Sequence, residues 1–155
     1  MRTIGIGGFV LLVVAMFAAP PGARAHDLGF TAGEPGDPKK PARTVTIKMR
    51  EEGQRQLFIP DRVEVKRNEQ IRFVLVNEGI EDHEFVLDST EGNLKHAEDM
   101  KKNPDMEHDD PNALRLKPEK QGELVWKFSK RGTFEYACLI PGHREDGMVG
   151  TVIVK

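Results

Sequence analysis

Hydrophobic and polar residues alternate along most of the chain from Arg43 onward. The alternating stretches are 45–49, 63–65, 71–75, 83–87, 124–128, 134–138 and 149–154. A period of two turns every second side chain to the same face of an extended strand, so each stretch predicts a short strand with one buried face. Turn-forming residues such as Asn77-Glu78-Gly79 separate the stretches. At least seven such strands predict an all-β fold, an antiparallel β-sandwich.

Residues 89–118 interrupt this alternation. Within them, Glu91 to Lys102 has a composition compatible with a helix, and the pattern stops at Asn103-Pro104. An insertion of this length between two strands of a compact domain more often has a function than serves only as a connection. We therefore expect a partly helical insertion at about 89–118 that serves the function of the protein.

The first 25 residues differ from the rest in composition. An apolar centre, Phe9 to Ala19, follows Arg2 and is broken by two prolines and a glycine. Ala23-Arg24-Ala25 then supplies the small-x-small pattern that signal peptidase requires. The apolar segment is shorter than the roughly 20 residues of a membrane anchor. We expect residues 1–25 to be a cleavable signal peptide, which predicts a periplasmic protein with no membrane anchor after cleavage.

Charge and composition restrict the possible partners of the chain and indicate its domain organisation. The sequence has 155 residues, 23 Lys and Arg against 25 Asp and Glu, and a formal net charge of -2. This balance offers no basic surface for nucleic acid. Residues 26–42 are rich in Gly, Pro and charge and predict a flexible lead-in. The remaining residues, 43–155, suit a single domain, which we expect to be monomeric.

The chain contains one cysteine, Cys138. A single thiol excludes an intramolecular disulfide and any zinc site that needs two or more cysteines. Export to an oxidising compartment exposes an unpaired thiol to oxidation. An unpaired Cys138 in an exported protein has three explanations, namely deep burial, a disulfide between two copies of the chain, or metal ligation.

Three residues with soft or borderline donors follow one another at intervals of five, namely Cys138, His143 and Met148. Strand parity places Cys138 on the inner face with Phe134 and Tyr136, and the same parity turns His83 inward. One cysteine, two histidines and a methionine are the ligands of a type 1 copper site, with the thioether in the weak axial position. Each residue also has a simpler interpretation: a core histidine, a buried inert thiol, or a methionine that fills the core.

The motifs around these residues resemble those of the cupredoxins, the plastocyanin/azurin family of small copper proteins. They are Asn77…His83-Glu84-Phe85 and the segment from Gly132 to Gly150, which contains Cys138…Pro141-Gly142-His143…Gly147-Met148. The resemblance spans about Arg43 to Lys155 and implies a Greek-key sandwich. It also implies that His83, Cys138 and His143 are equatorial copper ligands and that Met148 is axial. The loop spacing, C-x₄-H-x₄-M, departs from those of plastocyanins and azurins and resembles the periplasmic copper-tolerance cupredoxins of the CopI type.

Two further places in the chain carry candidate copper ligands. The insertion contains His96, Met100, Met106 and His108, and the first two lie on one face of a helix at i,i+4. Imidazole and thioether together suit Cu(I), so a second metal site is one interpretation, and an acidic flap whose methionines pack on the sandwich is the other. His26 would become the N-terminal residue after cleavage, where its amine and imidazole could chelate Cu(II) together.

These ligands predict a protein that binds copper and does not catalyse a reaction. Protein side chains fill all the positions of such a site, whereas a metal enzyme keeps one open for substrate. The sequence also lacks the His-x-His pairs of a multicopper oxidase. We expect a role in copper handling and tolerance, with a copper-handling or redox protein as partner. The alternative is a periplasmic electron-transfer shuttle that docks through the apolar segment Leu139-Ile140-Pro141-Gly142, and a third class is a secreted β-sandwich without metal.

Overall fold

The computed structural model of the protein describes residues 30–103 and 110–155. The strands are β1 (Glu34–Pro35), β2 (Arg43–Glu52), β3 (Arg55–Ile59), β4 (Arg62–Val65), β5 (Gln70–Asn77), β6 (His83–Asp88), β7 (Ala113–Leu116), β8 (Gln121–Lys127), β9 (Gly132–Ala137) and β10 (Val149–Val154). One helix, α1 (Thr90–Lys102), lies between β6 and β7. No helix in these ranges combines the length and the apolar character that a membrane crossing requires.

The strands form two five-stranded sheets packed face to face. The first sheet has the order β1-β8-β5-β2-β3, and the second has the order β4-β10-β9-β6-β7. The chain passes from one sheet to the other several times, as in a Greek-key sandwich. The predicted β-sandwich is confirmed, with one refinement. Each sheet is mixed, because β2 runs parallel to β5 and β4 runs parallel to β10, while the remaining pairs are antiparallel.

Alternating side chains of the two sheets fill the space between them. In β5, Ile71, Phe73 and Leu75 are buried and the residues between them are partly exposed, as the period of two predicts. Aromatic rings form the centre of this main core, and Phe85 stacks on Tyr136 with ring centroids 5.2 Å apart. Cys138 and Met148 belong to the same cluster. The candidate ligands therefore lie at one end of the apolar core.

The lead-in predicted to be flexible packs against the first sheet in its described part, residues 30–42. Glu34 and Pro35 pair with Lys127 and Trp126 as a short edge strand. The Phe30 ring meets the Trp126 ring edge-on, with centroids 5.2 Å apart. A few residues of this segment thus cover a sheet edge, which its Gly and Pro content does not indicate. The flexibility of residues 26–42 stays a prediction.

The insertion contains the predicted helix and a strand that was not predicted. Helix α1 begins after Ser89, whose hydroxyl oxygen accepts a hydrogen bond from the Gly92 N–H at 3.0 Å, and it ends at Asn103. Strand β7 then pairs with β6. It escaped prediction because Ala113–Leu116 is short, with only its last residue buried. Strand β3 was missed for a similar reason, as a five-residue segment after a Gly53 turn.

Helix α1 covers the outer face of the second sheet. A small second cluster lies beneath it, made of Val86, Met100, Ala137 and Leu139. Strands β6 and β9 are thus buried on both faces, which accounts for the continuous burial of residues 83–87. The segment that leads into the candidate ligand loop is therefore held between the main core and the helix.

Candidate metal centre

Two predicted ligands are brought together by the pairing of neighbouring strands. Strand β6 begins at His83, and Cys138 directly follows β9. These strands are antiparallel, with Val86 opposite Ala137, so the start of one lies beside the end of the other. The Glu84 N–H donates a hydrogen bond to Cys138 Sγ at 3.3 Å. The strand register thus positions the thiol next to the histidine.

The other two predicted ligands lie on a loop closed by its own backbone. The Met148 N–H donates to the His143 carbonyl at 2.9 Å, and the Cys138 N–H donates to the Met148 carbonyl at 3.1 Å. Gly142 and Gly147 adopt φ values of 96° and 103°, a region that favours glycine. The loop therefore returns to its starting point, and its two tight bends explain the Pro-Gly and Asp-Gly steps in the sequence.

Three donor atoms converge at the centre of this arrangement. His83 Nδ1 lies 3.3 Å from His143 Nδ1, and Cys138 Sγ lies 3.4 Å from His143 Nδ1. All three ligand atoms are within 4.8 Å of one another, and all three side chains are buried. The structure thus unites three of the four predicted ligands in one cluster with the geometry to hold a metal ion.

Each imidazole is oriented by a carboxylate on its outer side. His83 Nε2 lies 2.9 Å from Glu51 Oε1, and His143 Nε2 lies 3.1 Å from Glu81 Oε2. An ionised carboxylate only accepts hydrogen bonds, so each Nε2 carries the hydrogen and each Nδ1 directs a lone pair inward. Two lone pairs 3.3 Å apart repel unless a positive species lies between them. This donor arrangement therefore fits a bound cation.

The pKa values of the cluster agree with that interpretation. Burial raises the pKa of the Cys138 thiol to about 12, so the thiol holds its proton until a cation displaces it. Burial also lowers the pKa of the His83 imidazole, with Glu51 opposing and His143 adding to the shift. Burial alone would raise the pKa of the Glu51 carboxyl, but hydrogen bonds from the Ile80 and Glu81 N–H groups help to lower it. The cluster thus presents a neutral His83 beside an ionised Glu51.

Met148 lies at the edge of this cluster. Its side chain is fully buried in the main core, and its backbone is bonded to both Cys138 and His143. Met148 is therefore held by its backbone next to two of the three donor residues. Its axial role stays a prediction.

Three further polar residues belong to the site: Asn77, which the sequence motif contains without a stated role, and Glu51 and Glu81, which sequence reasoning missed. Asn77 Nδ2 donates to the carbonyls of Glu81 and Leu116 at 2.8 and 3.0 Å and so fixes the segment that leads to His83. Glu51 and Glu81 supply the outer carboxylates. Glu81 lies two residues before His83, which is a weak signal, whereas Glu51 comes from a distant strand and carries no signal at all.

The structure describes two of the four residues of the predicted second metal site, His96 and Met100. Met100 packs in the apolar cluster beneath α1, and His96 is half-buried on the same helix. Met106 and His108 lie outside the described residues, as do His26 and the predicted signal peptide, residues 1–25. The burial of Met100 agrees with a methionine that packs on the sandwich. A second site and an N-terminal copper site stay predictions.

A thiol and two imidazoles buried at one end of a β-sandwich, with a methionine beside them, define the class of type 1 copper proteins. A comparison with protein families agrees with this class. Residues 45–155 match the copper binding proteins of the plastocyanin/azurin family. The chain belongs to this family, whose cofactor is copper, and it is a cupredoxin of the CopI type.

Similar proteins support the same assignment. The copper-resistant cuproprotein CopI of Rubrivivax gelatinosus is 47% identical over 138 residues, which cover 89% of this chain and 82% of that protein. CopI of Pseudomonas aeruginosa is 31% identical over 175 residues, covering 94% of this chain and 93% of the relative. Among solved structures, auracyanin B superposes with a TM-score of 0.65 at 25% identity, covering 80% of this chain and 96% of that one. The recognition of a cupredoxin from its motifs is confirmed.

Proposed function

We propose that the protein is an exported copper-binding protein that handles copper and contributes to copper tolerance. The observation that carries the proposal is the convergence of Cys138 Sγ with the Nδ1 atoms of His83 and His143. Copper bound there supplies a one-electron change between Cu(II) and Cu(I). The residues hold the ion, orient its ligands and exclude water, since the three side chains are buried.

The relatives support the tolerance role. Both are named copper-resistant cuproproteins, and one matches most of this chain at 47% identity. The predicted signal peptide supports export to the periplasm. We therefore propose that the protein acts in the periplasm, with copper ion as its ligand and a copper-handling or redox protein as its partner.

The closed site supports a binding role rather than an enzymatic one. His83, Cys138 and Met148 are fully buried, and only an edge of His143 reaches the surface. A substrate would need an open ligand position, as in catalytic metal sites. We propose that the protein is not an enzyme.

The structure gives the electron-transfer alternative less support than the apolar segment in the sequence suggested. Leu139 is buried beneath α1 and Ile140 is half-buried, so the predicted docking segment exposes chiefly Pro141 and Gly142. An apolar docking surface needs exposed apolar side chains. Copper handling is therefore the function that the site supports best.

The first test is the visible absorption spectrum and the copper stoichiometry of the full chain, expressed with its export segment and purified. We expect a strong thiolate-to-copper band in the wild type and its loss in Cys138→Ser, because only a thiolate gives that transition. A matched pair of variants separates the axial ligand from ordinary packing. Met148→Leu should shift the band, and Met100→Leu should not. Both methionines are buried, but only Met148 is bonded through its backbone to Cys138 and His143, whereas Met100 packs beneath α1. A wild type without the band would contradict the proposal.

The role in tolerance is tested in cells. A strain that lacks the gene should grow less well in copper, and the wild-type gene should restore growth. The Cys138→Ser gene, produced at the same level, should not. Equal restoration by the variant would show that tolerance does not depend on this site.

A further inference from the structure

We propose that Glu51 and Glu81 are positioning residues of the copper site, which hold the outer nitrogens of its two histidines and favour Cu(II) over Cu(I). The inference deepens the proposed function and rests on copper binding by His83 and His143. Both rings, although they come from different segments of the chain, meet a carboxylate on the side away from the donor cluster.

Glu51 belongs to β2, and its carboxylate is mostly buried. Its Oε1 lies 2.9 Å from His83 Nε2 and accepts from the Glu81 N–H at 3.2 Å, while its Oε2 accepts from the Ile80 N–H at 3.1 Å. A side chain at Gly79 would collide with this carboxylate, since an added Cβ would stand 2.4 Å from Oε2. Glu51 is thus held against the segment that leads to His83 by two backbone hydrogen bonds.

Glu81 is held more loosely at the surface. Its Oε2 lies 3.1 Å from His143 Nε2 and accepts from Gln56 Nε2 at 3.3 Å. About half of its side chain remains exposed, at 51%, against 17% for Glu51. Water therefore screens the charge of Glu81 more than that of Glu51.

The two carboxylates have a common electrostatic consequence. A hydrogen bond from Nε2–H to a carboxylate makes the imidazole a stronger donor at Nδ1 and fixes the ring orientation. A nearby negative charge stabilises the more positive oxidation state of the ion more strongly. The pair therefore lowers the reduction potential of the site, and the buried Glu51 contributes more than the exposed Glu81.

The test separates charge from hydrogen bonding. Glu81→Gln and Glu51→Gln remove the charge but keep an oxygen that can accept from Nε2–H, whereas the alanine variants remove both. For Glu51→Gln we expect about a tenfold loss of Cu(II) affinity relative to Cu(I), which raises the potential by about 59 mV. For Glu81→Gln we expect about threefold, or about 30 mV, because its charge is screened.

Glu78→Gln is the matched control. Glu78 lies in the same segment, carries the same charge, and forms an ion pair with Lys48 at 2.7 Å. Its variant should leave the potential close to that of the wild type. Circular dichroism of each variant verifies the fold, and Glu81→Gln tests the proposal even where Glu51 variants fail to fold.

The metal-free protein supplies a readout that does not depend on copper. ¹⁵N NMR of the imidazole rings should show a hydrogen-bonded Nε2–H in both histidines of the wild type. Glu81→Ala should abolish that signal for His143 alone, and Glu51→Ala for His83 alone. Either an unchanged Nε2–H signal in Glu81→Ala, or a potential shift in Glu81→Gln no larger than in Glu78→Gln, would overturn the proposal. A wild type that lacks the thiolate-to-copper band would instead refute the proposed function, and the NMR result would still decide the hydrogen bonds.

Discussion

The second sheet buries both of its faces near the metal centre, and the two faces differ in what they contact. On the inner face, Phe85, Tyr136 and Cys138 join the main core between the sheets. On the outer face, their neighbours Ala137 and Leu139 pack in the small cluster beneath α1. The inner face therefore connects the two halves of the sandwich, whereas the outer face holds the helix.

The polar groups of the two faces differ as well. The inner face carries the metal donors among mostly apolar side chains, and the Tyr136 hydroxyl there donates to the Pro60 carbonyl at 2.7 Å. On the outer face, Glu135 is buried and forms an ion pair with Arg144, with Nη2 and Oε2 3.0 Å apart, and it accepts from Asn93 Nδ2 at 3.2 Å. Asn93 belongs to α1 and Arg144 follows His143, so this network connects the insertion to the ligand loop. Loss of the inner packing should unfold the protein, and loss of the outer contacts should loosen the loop and the helix.

The largest expected effect is that of Phe85→Ala on the inner face. The Phe85 ring is fully buried and contacts the rings of Phe73 and Tyr136, with centroids 5.3 and 5.2 Å away. We expect the free energy of unfolding to fall by about 4 kcal/mol, since a cavity remains where the ring was. Urea unfolding of the metal-free protein measures it. Leu94→Ala, at a half-exposed position of α1, is the control and should cost less than about 0.5 kcal/mol. Equal losses in the two variants would contradict the comparison.

Arg144→Met should have the next largest effect, on the outer face. The substitution leaves the buried Glu135 carboxylate without its counter-charge, and we expect a loss of about 3 kcal/mol. The double variant Glu135→Gln/Arg144→Met should recover part of that loss, because no uncompensated charge remains and the glutamine oxygen can still accept from Asn93. The same unfolding experiment tests both variants. If the double variant were no more stable than Arg144→Met, an unpaired charge would not be the cause.

Local patterns in the sequence indicate much of the metal centre. The alternation around Phe134, Tyr136 and Cys138 predicts an inward thiol, and the same rule applies to His83, because a period of two depends only on adjacent residues. The spacing of Cys138, His143 and Met148 within one loop indicates the remaining ligands. Motifs of this kind lie within short segments, so the sequence displays them directly.

Contacts between distant segments are not predictable in the same way. Glu51 reaches His83 because β2 and β5 pair in parallel, with Met49 opposite Asn77, and that pairing has no local signature. The strand β7 pairs with β6 across the whole length of the insertion. The outer carboxylates and the covered sheet edge arise from such long-range pairings, and the sequence alone gives no register for them.

The smallest expected effect concerns the attachment of α1 alone. Ser89 caps the helix by accepting from the Gly92 N–H, and Ser89→Ala should destabilise the helix by about 1 kcal/mol. Amide hydrogen exchange should become about fivefold faster within α1 and stay unchanged in β5, because the helix covers only the outer face. Ser89→Asp keeps an oxygen at the cap and should restore slow exchange. Faster exchange in β5 as well would mean that the outer cluster supports the whole sandwich, and the two faces would then be energetically one unit.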